Sequence, residues 1–224
     1  MVLVIVTAIL VVGVGYVIGG VPFGVLLGRY VHGVDIQAMG SGSTGATNVY
    51  RILGWKTALA VGLLDIAKGA AAVGLARLVM PAVWSQNGSD LVAIATGVAA
   101  MAGHVYSPFL RFRGGKGIAV AAGAIGVIMP WASLVLLAVF AATSLILRIP
   151  SVGSMLAAFV FPAAILVLYP QRPMLLLFAL LAVPLVMWAH RANIRRLLHG
   201  EEPRITIGRR KEVPGEHADG GDRG

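Results

Sequence analysis

The sequence predicts an all-α integral membrane protein, a bundle of about seven transmembrane helices with the N-terminus outside and the C-terminus cytoplasmic. Three observations carry this expectation: a series of long apolar segments, a one-sided distribution of Lys and Arg, and a composition that is 58% hydrophobic and only 12% charged over 224 residues. Soluble domains run nearer to about 45–50% apolar and about 25% charged.

Crossing the hydrocarbon takes about 20 apolar residues. Segments of this kind fall at 3–27, 55–79, 90–107, 116–129, 131–147, 152–169 and 173–189. The first lacks a basic lead and outruns a signal-peptide core, so it reads as a retained helix. The fourth is short, and the Pro130-Trp131 junction reads either as a turn or as a kink, so the count is six or seven. With seven spans, one side holds Arg29, Arg51, Lys56, Arg111, Arg113, Lys116, Arg148 and the basic stretch from Arg191. The other holds Arg172, with Arg77 near it. Positive charge marks the cytoplasmic side.

The domain reading is a membrane domain over 1–198 and a polar tail over 199–224, most of it expected to be disordered. The net charge of +9 does not point to nucleic acid, because the basic residues sit at span ends and in the tail, where anionic headgroups attract them. There is no cysteine, so thiolate chemistry is excluded. The five histidines, at 32, 104, 190, 199 and 217, are scattered without an acidic cluster, so no metal site and no cofactor is expected. No fixed-period repeat occurs.

Two glycine-rich segments interrupt the apolar pattern, both on the side assigned to the cytoplasm. The first runs Gly40-Ser-Gly-Ser-Thr-Gly-Ala-Thr-Asn-Val-Tyr-Arg51. Gly40, Gly42 and Gly45 match a dinucleotide fingerprint in spacing, but that fingerprint needs a strand before it and a βαβ unit around it. Ser41, Gly42, Thr47, Asn48 and Arg51 instead offer backbone amides, hydroxyls, an amide and a guanidinium. A helix beginning near Thr47 would place Arg51 one turn on and collect these groups at an anion-binding N-terminus. A plain flexible turn is the bland alternative. The second segment, Gly114-Gly-Lys-Gly117, lacks the spacing of a Walker loop but shares its logic. Gly114, Gly115 and Gly117 let backbone approach a phosphate, and Lys116 supplies a point charge. A lysine that only sets topology would not need three glycines.

Ser154, in Ser151-Val-Gly-Ser154, opens the sixth span and serves either as a cap or as a phosphate donor. His190 and Asn193 close the seventh, three residues apart and so on one face. Asp65 and Lys68 lie mid-span at i, i+3, where pairing would offset the cost of each charge. They are expected to face the bundle. His104 reads as a satisfied structural histidine. His217 and Asp222 have the spacing of an acyl-CoA-dependent acyltransferase motif, but they stand in the glycine-rich tail without a scaffold.

Three segments in order resemble the bacterial acyl-phosphate:glycerol-3-phosphate acyltransferases, the PlsY family: Gly40 to Arg51, His104-Val-Tyr-Ser-Pro-Phe-Leu-Arg-Phe-Arg-Gly-Gly-Lys-Gly-Ile-Ala119, and Ser151 to Ser154. His190-Arg-Ala-Asn-Ile-Arg-Arg-Leu-Leu-His-Gly200 also matches, and the likeness extends to about residue 205. One departure is Ser43, where the family usually has Asn. The resemblance implies a seven-span enzyme of the bacterial inner membrane with its site facing the cytoplasm. It would move a fatty acyl group from acyl phosphate to the 1-hydroxyl of glycerol 3-phosphate, giving lysophosphatidic acid and inorganic phosphate. It implies catalytic roles for Lys116, Arg51, Ser154, His190 and Asn193, and phosphate binding by Ser41, Gly42, Thr47, Asn48, Gly114, Gly115 and Gly117. The implied partners are the two substrates and membrane lipids, with no nucleic acid; no protein partner is readable. A transporter for a phosphorylated solute is the rival reading, and it would need polar groups continuing across the membrane.

Overall fold

A computed structural model describes residues 2–80 and 86–205. Every element of regular structure among the described residues is helical. The first expected span is two helices, α1 (Val2–Gly20) and α2 (Phe23–His32), parted at Val21-Pro22. Proline drives the residue before it out of the helical region, which accounts for the break. The short α3 (Ala46–Leu53) follows the first glycine-rich loop, as the position of Thr47 and Arg51 required. Then come α4 (Trp55–Val79), α5 (Gln86–Val105), α6 (Ile118–Ile128), α7 (Pro130–Leu147), α8 (Pro150–Leu168), α9 (Leu176–Ala189) and α10 (Arg191–Leu198).

All seven expected apolar segments are helical, but they are not equal. Among the described residues, five stretches are long and apolar enough to cross a membrane alone: Val2–His32, Trp55–Val79, Gly88–Leu110, Pro130–Leu147 and Pro150–Leu168. A sixth is obtained if the segment through α9 and α10, bent by 57°, is taken as one. With 11 residues, α6 is about 16 Å long, half the hydrocarbon thickness. The Pro130 junction is a turn: Ser133 Oγ donates to the Ala122 carbonyl at 3.2 Å, so α7 folds back along α6.

The helices pack through small residues, since lipid gives no hydrophobic drive between them. On α1, Gly19 leaves no room for a side chain against the backbone of Ala100 on α5. Gly69 on α4 and Gly123 on α6 face each other's helices in the same way, against Val120 and Ile66. The main core gathers Val73, Ile94, Met101, Ile125, Phe161 and Phe178 from α4, α5, α6, α8 and α9. Large apolar side chains such as Leu3, Trp131, Ile146 and Val167 are exposed on the outside, where lipid would cover them. At the end of the bundle away from the glycine loops, the buried Asp90 carboxylate takes Arg77 and Arg172, each at 2.6 Å. That shared carboxylate pairs with both Arg77 and Arg172, offsetting one of their two positive charges, and ties α4 to α5 and to the turn before α9.

Candidate active site

The two glycine-rich loops, the start of α8 and the α9–α10 junction converge at one end of the bundle around a cavity of about 300 Å³. Ser41, Thr47, Arg51, Lys116, Gly117, Ser154, His190 and Asn193 all line it, although up to 152 residues separate them in sequence. Beyond these polar groups the cavity continues between α4, α6, α7, α8 and α9 over Ile66, Ile125, Leu136, Phe161 and Ala182. One end is charged and the remainder is apolar.

The first loop is shaped by Asn48. Its Nδ2 donates to the carbonyls of Ile36, Met39 and Ser43 at 3.1, 3.2 and 2.9 Å. Its Oδ1 accepts the Ser41 N–H at 2.9 Å. Gly40 and Gly42 take left-handed φ of 59° and 68°, which the turn demands. Asn48 is therefore spent on the loop itself and stands outside the cavity lining; it presents Ser41, Ser43 and Thr47 to the cavity. Gly42 likewise turns the backbone without lining the cavity.

The second loop is strapped to the end of α5. The N–H groups of Gly114 and Gly115 donate to the carbonyls of Val105 and His104, each at 3.0 Å. These amides satisfy the helix terminus, so the glycines act here through close approach. A side chain at Gly115 would strike the His104 ring. Gly117, at φ 77°, turns the chain into α6, and Lys116 is left extending into the cavity. Gln37 Nε2 donates to the Arg113 carbonyl at 2.9 Å and joins the two loops.

Lys116 makes no hydrogen bond or ion pair among the described residues. Burial pushes its ammonium down to about 8; Glu202 pulls the other way, while Arg196 and Arg51 push it further down. Arg51 donates from Nη2 to the Pro203 carbonyl at 3.1 Å, and its buried Nε has no partner among the described residues. A cluster of three cations with free donors is built for an oxyanion. Ser154 Oγ donates to the Pro150 carbonyl at 3.0 Å, so it serves its own helix while lining the cavity. His190 Nδ1 lies 2.8 Å from the Val186 carbonyl and must donate to it, which leaves Nε2 of the neutral ring as an acceptor fit for a hydroxyl.

Glu202 was not foreseen. It is buried, and its carboxylate receives Ser151 Oγ at 2.8 Å, Asn193 Nδ2 at 2.5 Å and Arg196 Nε at 2.7 Å. Burial raises its pKa, but these donors outweigh that and hold it below the ordinary carboxylate value. Ile205 N–H donates to the Arg148 carbonyl at 2.7 Å, so the segment after α10 returns across the site. The composition boundary at 198/199 thus falls before residues that reach the cavity, and 206–224, including His217 and Asp222, lie outside the described residues. The only hint in the sequence was an acidic pair, Glu201-Glu202, directly after a basic helix. No group of His, Asp and Glu suited to a metal occurs among the described residues.

The fold and this site define a multi-pass helical membrane protein with a cationic pocket at the mouth of an apolar cavity. A family model described as glycerol-3-phosphate acyltransferase matches residues 9–200. The chain is 36% identical to a glycerol-3-phosphate acyltransferase of Chlorobium phaeobacteroides, over 91% of this chain and 98% of that one. It is 40% identical to one of a Synechococcus strain, over 89% and 94%. It superposes with a TM-score of 0.80 on the crystal structure of PlsY, an integral membrane glycerol 3-phosphate acyltransferase, in its glycerol 3-phosphate form; identity is 33%, covering 89% of this chain and 96% of that one. The lysophosphatidic acid form of the same enzyme gives 0.77. The chain belongs to the glycerol-3-phosphate acyltransferase family.

Proposed function

We propose that this protein transfers a fatty acyl group from an acyl phosphate to the 1-hydroxyl of glycerol 3-phosphate, releasing lysophosphatidic acid and inorganic phosphate. The supporting observation is the cavity itself, cationic at its mouth and apolar within. A phosphate and an acyl chain are the two halves of an acyl phosphate, and the same cations accept the phosphate of the acceptor. The apolar lining beyond the loops also disfavours a transport path for a charged solute.

The hydroxyl oxygen attacks the acyl carbonyl, the bond from that carbon to the phosphate oxygen breaks, and phosphate departs with the electron pair. The hydroxyl proton passes to a phosphate oxygen of the donor, so no protein nucleophile is needed. Lys116 and Arg51 balance the charge gathering on the leaving phosphate. Ser41, Thr47 and Ser154 orient phosphate oxygens, and His190 Nε2 accepts from the neighbouring 2-hydroxyl of glycerol 3-phosphate, which aligns the 1-hydroxyl for attack. Asn48 and the glycines at 42, 114, 115 and 117 shape the loops. Asn193, held by Glu202, borders the same pocket. The bundle sits in the bacterial inner membrane with seven helical segments, the short α6 covering part of the thickness, and the site faces the cytoplasm; residues 1–198 form the membrane domain and the segment just after it closes over the pocket.

Purified protein given palmitoyl phosphate and radiolabelled glycerol 3-phosphate is expected to form lysophosphatidic acid, and to form none from palmitoyl-CoA. Product from the thioester would mean a different donor, and no product from either would end this reading.

A further inference from the structure

Asp65, Lys68 and His104 form a polar cluster inside the bundle that the mechanism above leaves unused. Asp65 and Lys68 are one turn apart on α4, both side chains 3% exposed, with their charged atoms 2.7 Å apart. Pairing alone explains why two charges are tolerated there, but it does not explain the rest of the geometry. Lys68 Nζ also donates to the Val21 carbonyl at the α1–α2 break, 2.7 Å away, and meets Nδ1 of His104 on α5 at 2.9 Å.

An ammonium has three protons and no lone pair. The ammonium can only donate, so Nδ1 of His104, 2.9 Å from Nζ, accepts from it, while Asp65 Oδ1, 2.7 Å from Nζ and 3.6 Å from Nδ1, supplies the balancing charge. The proton of the neutral ring is then on Nε2. This nitrogen faces the gap between the glycine-rich loops: a Cβ at Gly115 would lie against it and 3.0 Å from Thr44 Oγ1. His104 is only 6% exposed, lines the cavity, and has no recorded partner at Nε2 among the described residues. His190 has the opposite polarity, because its Nδ1 is committed to Val186. Of the two cavity histidines, His104 is the one that can donate to a phosphate oxygen while neutral.

We propose that Asp65 and Lys68 hold His104 in its Nε2–H form, and that this N–H binds a substrate phosphate oxygen between the two glycine-rich loops. The proposal rests on the acyl-phosphate reading of the site and makes His104 a substrate contact, with Asp65 and Lys68 as positioning residues.

The test is nitrogen-15 NMR of the full-length protein labelled at histidine, in detergent, with the His104 signals identified by their loss in His104→Gln. The expected result is a proton bonded to Nε2 and none on Nδ1, with the Nε2 signal moving as inorganic phosphate is added. Inhibition by inorganic phosphate supplies the second readout. Gln places an amide donor near the Nε2 position and Asn places one near Nδ1, so His104→Asn should weaken phosphate inhibition at least tenfold while His104→Gln stays within about threefold. A proton on Nδ1, or His104 signals unmoved at phosphate concentrations that inhibit turnover, would overturn the proposal. Equal inhibition constants in the two variants would do the same. Should His104→Asn fail to fold, the wild-type spectra decide alone. Failure of the underlying reading is separable, because it would show as no lysophosphatidic acid from the wild-type protein, whatever the response to phosphate.

Discussion

Replacing Lys116 tests the electrostatic core of the mechanism, and its size can be worked from the site. Burial holds the ammonium down to about 8, against an ordinary 10.5. A pKa of 8 leaves about nine-tenths of the sites charged at pH 7 and about one-tenth at pH 9. The charged form binds phosphate, so kcat/KM should be near its plateau at pH 7 and fall about tenfold per unit well above pH 8. The acceptor does not confound this, since a phosphate monoester with its second pKa near 6 is already a dianion there. Arginine does not deprotonate in this range, so Lys116→Arg should lose the alkaline limb even if its rate is lower. Lys116→Met should cost about 10²- to 10³-fold in kcat/KM, the usual scale for one preorganised charge-stabilising donor. The assay is initial-rate release of inorganic phosphate, corrected for spontaneous hydrolysis of the donor. An unchanged alkaline limb in Lys116→Arg, or a Lys116→Met enzyme within threefold of the parent, would refute the reasoning.

Three further outcomes follow from other parts of the site. Glu202→Gln removes the acceptor of Arg196 and is expected to lower unfolding stability in detergent by about 1–3 kcal/mol. Because the folded-state pKa of Glu202 is depressed, this difference between parent and variant should exist above the ordinary carboxylate pKa and vanish as pH falls through the lower folded value, measured by thermal unfolding. Asn48→Ala deletes four loop hydrogen bonds and should cut kcat/KM for glycerol 3-phosphate by about 10²-fold, since a displacement of about 1 Å in a positioned site has that effect; activity close to the parent's would show that the loop holds its shape without this side chain. Ala158→Phe, which fills the apolar part of the cavity, should shift donor preference toward shorter acyl phosphates in competition assays, and unchanged preference would place the acyl chain elsewhere.

The apolar segments were legible because membrane helices declare themselves by length and composition. The loop and α3 were legible because a helix starting near Thr47 places Arg51 one turn on, beside the hydroxyls and amides of the glycine-rich loop. Glu202 was not legible: its partners Ser151, Asn193 and Arg196 are brought to it by tertiary contacts, and its immediate neighbours have the composition of a solvated tail. Asn48 was read as a ligand because an exposed amide and a loop-bracing amide look alike in sequence; only the four bonds it makes to its own loop distinguish them. The same holds for Gly114 and Gly115, whose amides serve the end of α5. The bend that creates α10 carries no proline or glycine at His190, so nothing local announced it.

The central claim is direct transfer between two phosphorylated substrates, without an acyl-enzyme. Rapid mixing of enzyme with excess palmitoyl phosphate, following phosphate release with and without glycerol 3-phosphate, tests it most directly. The account predicts one phosphate per lysophosphatidic acid when the acceptor is present and no burst when it is absent. A burst of one phosphate per enzyme without the acceptor would contradict it.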